Sequence, residues 1–204
     1  MKRVLVSLAA LVVLAMSLTS CSYNSMVEAD ENVKAQWAKV ENQYQRRADL
    51  IPNLVSTVKG YAAHEATTLE AVVEARAKAT QVTVDAENLT EENLKAYQEA
   101  QGELSQALGR LLAVTENYPD LKANENFRDL QAQLEGTENR IATERGRYSE
   151  MVAGYNAKIR KFPAVITAKI FGFEAKPQFA AEAGAGAIIV YNNDRGPFGM
   201  QITE

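Results

Sequence analysis

An all-α, elongated antiparallel four-helix bundle with a short C-terminal helix and a weakly ordered tail is the fold this sequence predicts. Three observations predict it. Apolar residues recur at steps of three and four from Val33 to Ile159, which holds one stripe on a helix of 3.6 residues per turn. The pattern is interrupted near Gly60, over residues 80–89 and at Asn117-Tyr118-Pro119-Asp120, and so divides into four amphipathic segments. Two of these segments run to roughly 30 to 40 residues, giving a rod on the order of 45 to 60 Å at 1.5 Å per residue, with no sheet in its core.

The chain opens with Met1-Lys2-Arg3 and an apolar run from Val4 to Leu18, the layout of a secretory signal and too short for a comfortable membrane span. Leu18-Thr19-Ser20-Cys21 resembles a bacterial lipobox, in which the cysteine receives diacylglycerol before cleavage in front of it. Residues 1–20 are thus expected to be a lipoprotein signal peptide, Cys21 the lipidated first mature residue and 21–27 a tether. Cys21 is the only cysteine, which excludes an intrachain disulfide framework. Two or three acyl chains would anchor the protein stably.

The first helix is expected over residues 28–59, on the stripe Val33, Trp37, Val40, Tyr44, Ala48, Ile51, Val55 and Val58. Pro52 removes one internal hydrogen bond and predicts a kink, and Gly60 an end. A second helix is expected over 62–79, with Leu69, Val72 and Val73 inward and Ala66, Ala75 and Ala79 allowing close approach. Thr90 with Glu91 and Glu92 reads as an N-cap with acids in the first turn. It starts a third helix on Leu94, Tyr97, Leu104, Leu108, Leu111 and Val114. The fourth runs from Phe127 through Leu130, Leu134, Ile141, Tyr148, Val152, Tyr155 and Ile159, and Phe162-Pro163 stops it.

Residues 164–173 are apolar enough for a short docking helix. The bundle is placed at 28–179 and the tail at 180–204, where Ala187-Ile188-Ile189-Val190-Tyr191 has strand character. An isolated hairpin is marginal in water, so this tail is expected to be weakly ordered or dependent on a partner.

The segment Tyr44-Gln45-Arg46-Arg47-Ala48-Asp49-Leu50-Ile51-Pro52-Asn53-Leu54-Val55 resembles the LemA family of bacterial envelope proteins. Further matches are Tyr23-Asn24, Trp37, Thr57-Val58-Lys59-Gly60-Tyr61, His64-Glu65, Tyr118-Pro119-Asp120-Leu121-Lys122-Ala123-Asn124, Leu134-Glu135-Gly136-Thr137-Glu138-Asn139-Arg140-Ile141, Tyr155-Asn156 and Phe162-Pro163, and the resemblance covers roughly residues 23–179. It implies a LemA-like helical bundle outside the cytoplasm with no established enzymatic activity. It also implies association with membrane-protein quality control, since relatives are often found beside an integral-membrane metalloprotease. The chain departs from the family pattern in carrying a lipobox in place of a plain anchor helix. Nothing in the family pattern explains residues 187–204.

Catalytic chemistry has little to draw on. His64 is the only histidine, with no second ligand at metal spacing and no Gly-rich phosphate loop in the chain, so no catalytic residue, metal or cofactor is assigned. The formal charge of −4 and the lack of a basic stripe argue against nucleic acid. Charges on the apolar faces are more informative. Projected at 100° per residue, Arg47, Glu65, Arg76, Glu138 and Arg145 fall on the inward stripes. A buried charge must be paired, which predicts a polar layer in which Glu65 and Glu138 receive Arg47, Arg76 and Arg145. Such a layer could fix helix register or line a partner groove. Asp49, Pro52 and Asn53 form a second candidate: Pro52 frees a carbonyl one turn earlier, and the kink could be structural or a recognition surface.

The function expected is a non-catalytic, lipid-anchored helical scaffold or adaptor for envelope proteins. The alternative is a small-molecule or lipid binder, or a hydrolase, using a cleft between helices. Partners would be the membrane through Cys21, envelope proteins, and a second copy if the long helices pair in trans. Ser22 after the cysteine, in place of the aspartate that retains lipoproteins at the inner membrane, favours the periplasmic face of the outer membrane in a diderm.

Overall fold

Helix ends are set locally, by side chains that satisfy orphan backbone groups. In a computed structural model of the protein the backbone is described for residues 2–179 and the side chains for residues 22–179. The elements are α1 (Lys2–Tyr61), α2 (Ala66–Gln81), α3 (Glu91–Thr115), α4 (Pro119–Ala123), α5 (Glu125–Arg160) and α6 (Ala164–Phe171), with no strand among the described residues. At the start of α3 the Thr90 hydroxyl accepts from Asn93 N–H at 3.2 Å, and Asn93 Oδ1 accepts from Thr90 N–H at 2.8 Å. This is a capping box with Asn93 in the role usually taken by Glu or Gln. Asn124 caps α5 by accepting from Phe127 N–H at 2.9 Å. Gly172, at φ 73°, ends α6 in the left-handed region that a side chain would strain.

Four long helices make the bundle. Along α1 and α5 the polar pairs Ser25 with Lys158, Gln36 with Glu144 and Arg47 with Glu138 advance on one helix as they retreat on the other, so the two are antiparallel. α2 returns along α1, and α3 returns along α2, where Lys78 pairs with Glu103 at 2.6 Å. α3 therefore runs parallel to α1, diagonally across from it, and Trp37 and Tyr97 meet there with ring centroids 5.5 Å apart. α5 alone has 36 residues, about 54 Å of helix.

The core divides into two clusters. One gathers Met26, Val33, Trp37, Val40 and Tyr44 of α1 with Tyr97, Ile141, Tyr148, Val152 and Tyr155, and Val84 from the α2–α3 loop. That loop is held by Trp37, whose Nε1–H donates to the Val84 carbonyl at 3.3 Å. The second cluster gathers Ile51, Leu54 and Val58 with Leu69, Val72, Leu104, Leu111, Leu121 and Phe127.

Several expectations need correction. Residues 22–27, expected as a tether, continue α1; Met26 is fully buried, and the Lys158 ammonium donates to Ser25 O and Oγ at 3.0 Å each. The second helix starts at Ala66 because Ala62-Ala63-His64-Glu65 is used as a turn, closed by Glu65 N–H to the Ala62 carbonyl at 3.1 Å. Val73, expected inside, is 51% exposed, and Leu54 is buried more deeply than Val55. The Tyr118-Pro119 break holds the extra short helix α4. Cys21's side chain and the tail from 180 to 204 lie outside what is described.

Beyond Gly172 the chain turns back as an extended strap. Asn156 grips it from α5, donating to the Lys176 carbonyl at 2.8 Å and accepting from Lys176 N–H at 2.9 Å. Tyr148 OH donates to the Pro177 carbonyl at 3.1 Å, and the Lys176 ammonium pairs with Asp30 at 2.9 Å. Phe179 then stacks on Trp37 at 5.9 Å and closes the first cluster.

Candidate functional site

Arg47 sits one turn after Tyr44 and one before Ile51, on the buried face of α1 and at the seam between the two apolar clusters. It is 1% exposed. Its Nη1 donates to Glu138 Oε1 at 2.7 Å and to Ser105 Oγ at 2.6 Å, and its Nη2 to Gln101 Oε1 at 2.6 Å and the Gln101 carbonyl at 3.1 Å. The guanidinium carbon lies 5.1 Å from the Tyr44 ring centroid, a cation–π distance. Gln101 extends the layer by donating to the Ala79 carbonyl of α2 at 3.2 Å. One arginine thus bonds directly to α3 and α5 and reaches α2 through Gln101. Its Nε is buried without an acceptor, and Glu138 reaches solvent with 42% of its side chain exposed.

The structure joins Arg47 and Glu138 and separates the other three charges from them. Glu65, at the end of the α1–α2 turn, accepts from Tyr118 OH at 2.9 Å, which holds that phenol above its ordinary pKa. Arg145 lies over the Phe179 ring at 4.6 Å. Arg76 donates through Nε to the Ala48 carbonyl at 2.7 Å. The single predicted layer therefore resolves into four separate sites, because the helices and the turn that carry these charges place them at different heights along the rod.

Arg76 explains Pro52. Ala48 is four residues before Pro52, so its carbonyl is the one deprived of a helical N–H, and Arg76 of α2 supplies the missing donor. α1 is continuous through Pro52. Asn53 is exposed, and its own carbonyl accepts from Thr57 Oγ1 at 2.8 Å. Asp49 is also exposed and accepts from Gln45 at 2.8 Å.

Gln101, Ser105 and Gln36 are members of these polar sites that charge projection missed. Gln101 was legible: it fills the gap between Tyr97 and Leu104 on the stripe of α3. Gln36 is 1% exposed and donates to Glu144 Oε2 at 2.6 Å, a second buried tie between α1 and α5.

The arrangement carries little chemistry. His64 is exposed in its turn, and no group of three or more His, Cys, Asp or Glu among the described residues could hold a metal. Tyr97, Tyr148 and Tyr155 are buried in the core, and burial pushes the Tyr155 phenol up to about 12. Two open grooves flank the bundle: one of about 470 Å³ between α2 and α3 beside Lys78 and Glu103, and one of about 340 Å³ beside Arg46 and Arg140. The Arg47 layer itself is filled by side chains. Over residues 22–179, no helix is long and apolar enough to cross a membrane.

Comparison with known proteins adds a family match: the LemA family model matches residues 36–190. Magnetosome protein MamQ 2 of Paramagnetospirillum magneticum is 29% identical over 181 residues, covering 80% of this chain and 66% of its own. Magnetosome protein MamQ of Magnetospirillum gryphiswaldense is 28% identical over 174 residues, covering 77% of this chain and 64% of its own. The chain therefore spans slightly less than two thirds of the length of these relatives.

Proposed function

Because this chain belongs to the LemA family, we propose that it is a non-catalytic, lipid-anchored envelope protein that acts as a helical scaffold or adaptor for envelope protein partners, in membrane-protein quality control or envelope stress. The observation that carries this is that α1 is helical from the residue after Cys21 to Tyr61, so the lipidated residue leads straight into the bundle. A lipid on Cys21 would hold a helix that is itself a wall of the bundle, so the anchor would position the whole rod and not merely retain it. The filled polar layers support a rigid display surface: Arg47 and Gln36 lock the register of α1 against α5, leaving helix faces and loops for contact. In a diderm, Ser22 after the lipidated residue favours the periplasmic face of the outer membrane.

A ligand-binding bundle is the competing function, with the two open grooves as its available surface. The magnetosome names belong to the relatives, and at 29% identity they are not carried to this chain. Crosslinking pull-down of the full-length protein from intact envelopes, against a Cys21→Ser control, tests the scaffold. One or a few envelope proteins recovered only with the lipidated form is the expected result. Recovery of nothing above control, where known complexes survive, would shift the case to ligand binding, where a ligand raises the melting temperature by mass action.

A further inference from the structure

α6 buries one face and leaves another bare. Thr167 and Ala168 pack into the bundle, whereas Ile166 is 50% exposed, Ile170 68% and Phe171 57%, with Phe162 just ahead of the helix at 83%. Four large apolar side chains on one short segment form a patch that a solitary soluble surface rarely presents. Along the segment itself, between Glu150 and Glu174, the charge is one-sided. From Met151 to Phe173 the chain carries Lys158, Arg160, Lys161 and Lys169 and no acid, although Asp and Glu outnumber Lys and Arg by 26 to 22 overall. Arg160, Lys161 and Lys169 are exposed.

The position of the patch is equally specific. Phe171 packs on Tyr23 with ring centroids 4.7 Å apart, and Phe173 lies 5.8 Å from the same ring. Tyr23 is two residues from Cys21 and five from the end of the apolar run at Leu18. The bare face of α6 is therefore beside the point where the chain would meet lipid.

We propose that α6 is a membrane foot: Phe162, Ile166, Ile170 and Phe171 enter the interface of an anionic bilayer while Arg160, Lys161 and Lys169 engage its headgroups. An apolar face bordered by cations is what an interfacial helix needs, and the long basic side chains can reach the headgroup level from its flanks. The foot rests on the anchoring of the preceding proposal and deepens it. With the acyl chains as one attachment and α6 as a second, the rod would be held at a fixed tilt instead of swivelling on its lipid.

The test uses the full-length lipidated chain in vesicles of phosphatidylcholine, with and without phosphatidylglycerol, containing a spin-labelled lipid. Ile170→Cys carries an environment-sensitive fluorophore, and Val73→Cys, exposed on α2 among residues of the other cluster, is the control. Flotation of the protein with quenching at position 170 several-fold above that at 73, enhanced by phosphatidylglycerol and reduced by Lys161→Glu with Lys169→Glu, is the expected result. Flotation with equal quenching at both positions overturns the foot and leaves the anchor standing. Failure to float on either vesicle overturns both. A label shielded without lipid quenching, in a particle of twice the mass, assigns the patch to a second copy of the chain and also overturns the foot.

Discussion

Arg47 shows why a buried charge survives in this core. Its guanidinium has five N–H donors to place, and Gln101, Ser105 and Glu138 accept from four directions on two other helices, which no apolar side chain could imitate. Arg47→Ala should cost about 3 to 5 kcal/mol by urea denaturation, since it leaves a large cavity and strands the Gln101 oxygen. Glu138 is partly hydrated, so Glu138→Ala should cost less, about 1 to 3 kcal/mol, a loss of roughly 2 to 10 °C in melting temperature. An unchanged melting temperature would remove Glu138 from the layer. The buried phenols make a separate prediction. Burial raises Tyr155 to about 12 and Tyr97 and Tyr148 likewise upward, so the folded state holds protons that the unfolded state loses near pH 10. Stability is fully present below pH 10 and should fall between pH 10 and 12. Tyr155→Phe should flatten that fall in denaturation curves taken across the range.

At the scale of the helix, Pro52 and Arg76 form one device. Arg76→Met alone should cost about 1 to 3 kcal/mol by leaving the Ala48 carbonyl buried without a donor. In a Pro52→Ala background the alanine N–H can serve that carbonyl, so the same arginine substitution should cost clearly less. Strict additivity in this double-mutant cycle would mean that Arg76 does not compensate for the proline. Thr90→Ala removes the cap of α3 and should cost about 1 kcal/mol. The cap was legible from Thr90 and its acidic neighbours, but its partner was not: the side chain returning to Thr90 N–H is Asn93, which only the local turn geometry selects.

The whole molecule is a rod with two cores, a charged seam and a strap at one end. Phe179 is the strap's last described residue and covers Trp37 and Tyr148, with Arg145 above it. Phe179→Ala should uncover the only tryptophan, giving a red-shifted emission and faster quenching by iodide. The sequence stripe could not reveal this contact, because the strap is extended and returns from a distant segment. Arg145 illustrates the same limit: the stripe placed it inward, but the stripe could not show that it lies over an aromatic ring 34 positions later.

Periodicity by itself determined the all-helical class, the four long segments and most of the buried face, because a helix repeats its neighbours every three or four residues and solvent imposes an apolar stripe on that repeat. It also determined that Arg47 and Glu138 face inward. Which buried charges meet was decided only in the tertiary structure, since pairing depends on the height at which helices pass one another, set by the loop over 82–90, the turn at 62–65 and α4. A sequence fixes the direction of a side chain around its own helix; the axial offset between two helices is a property of their packing.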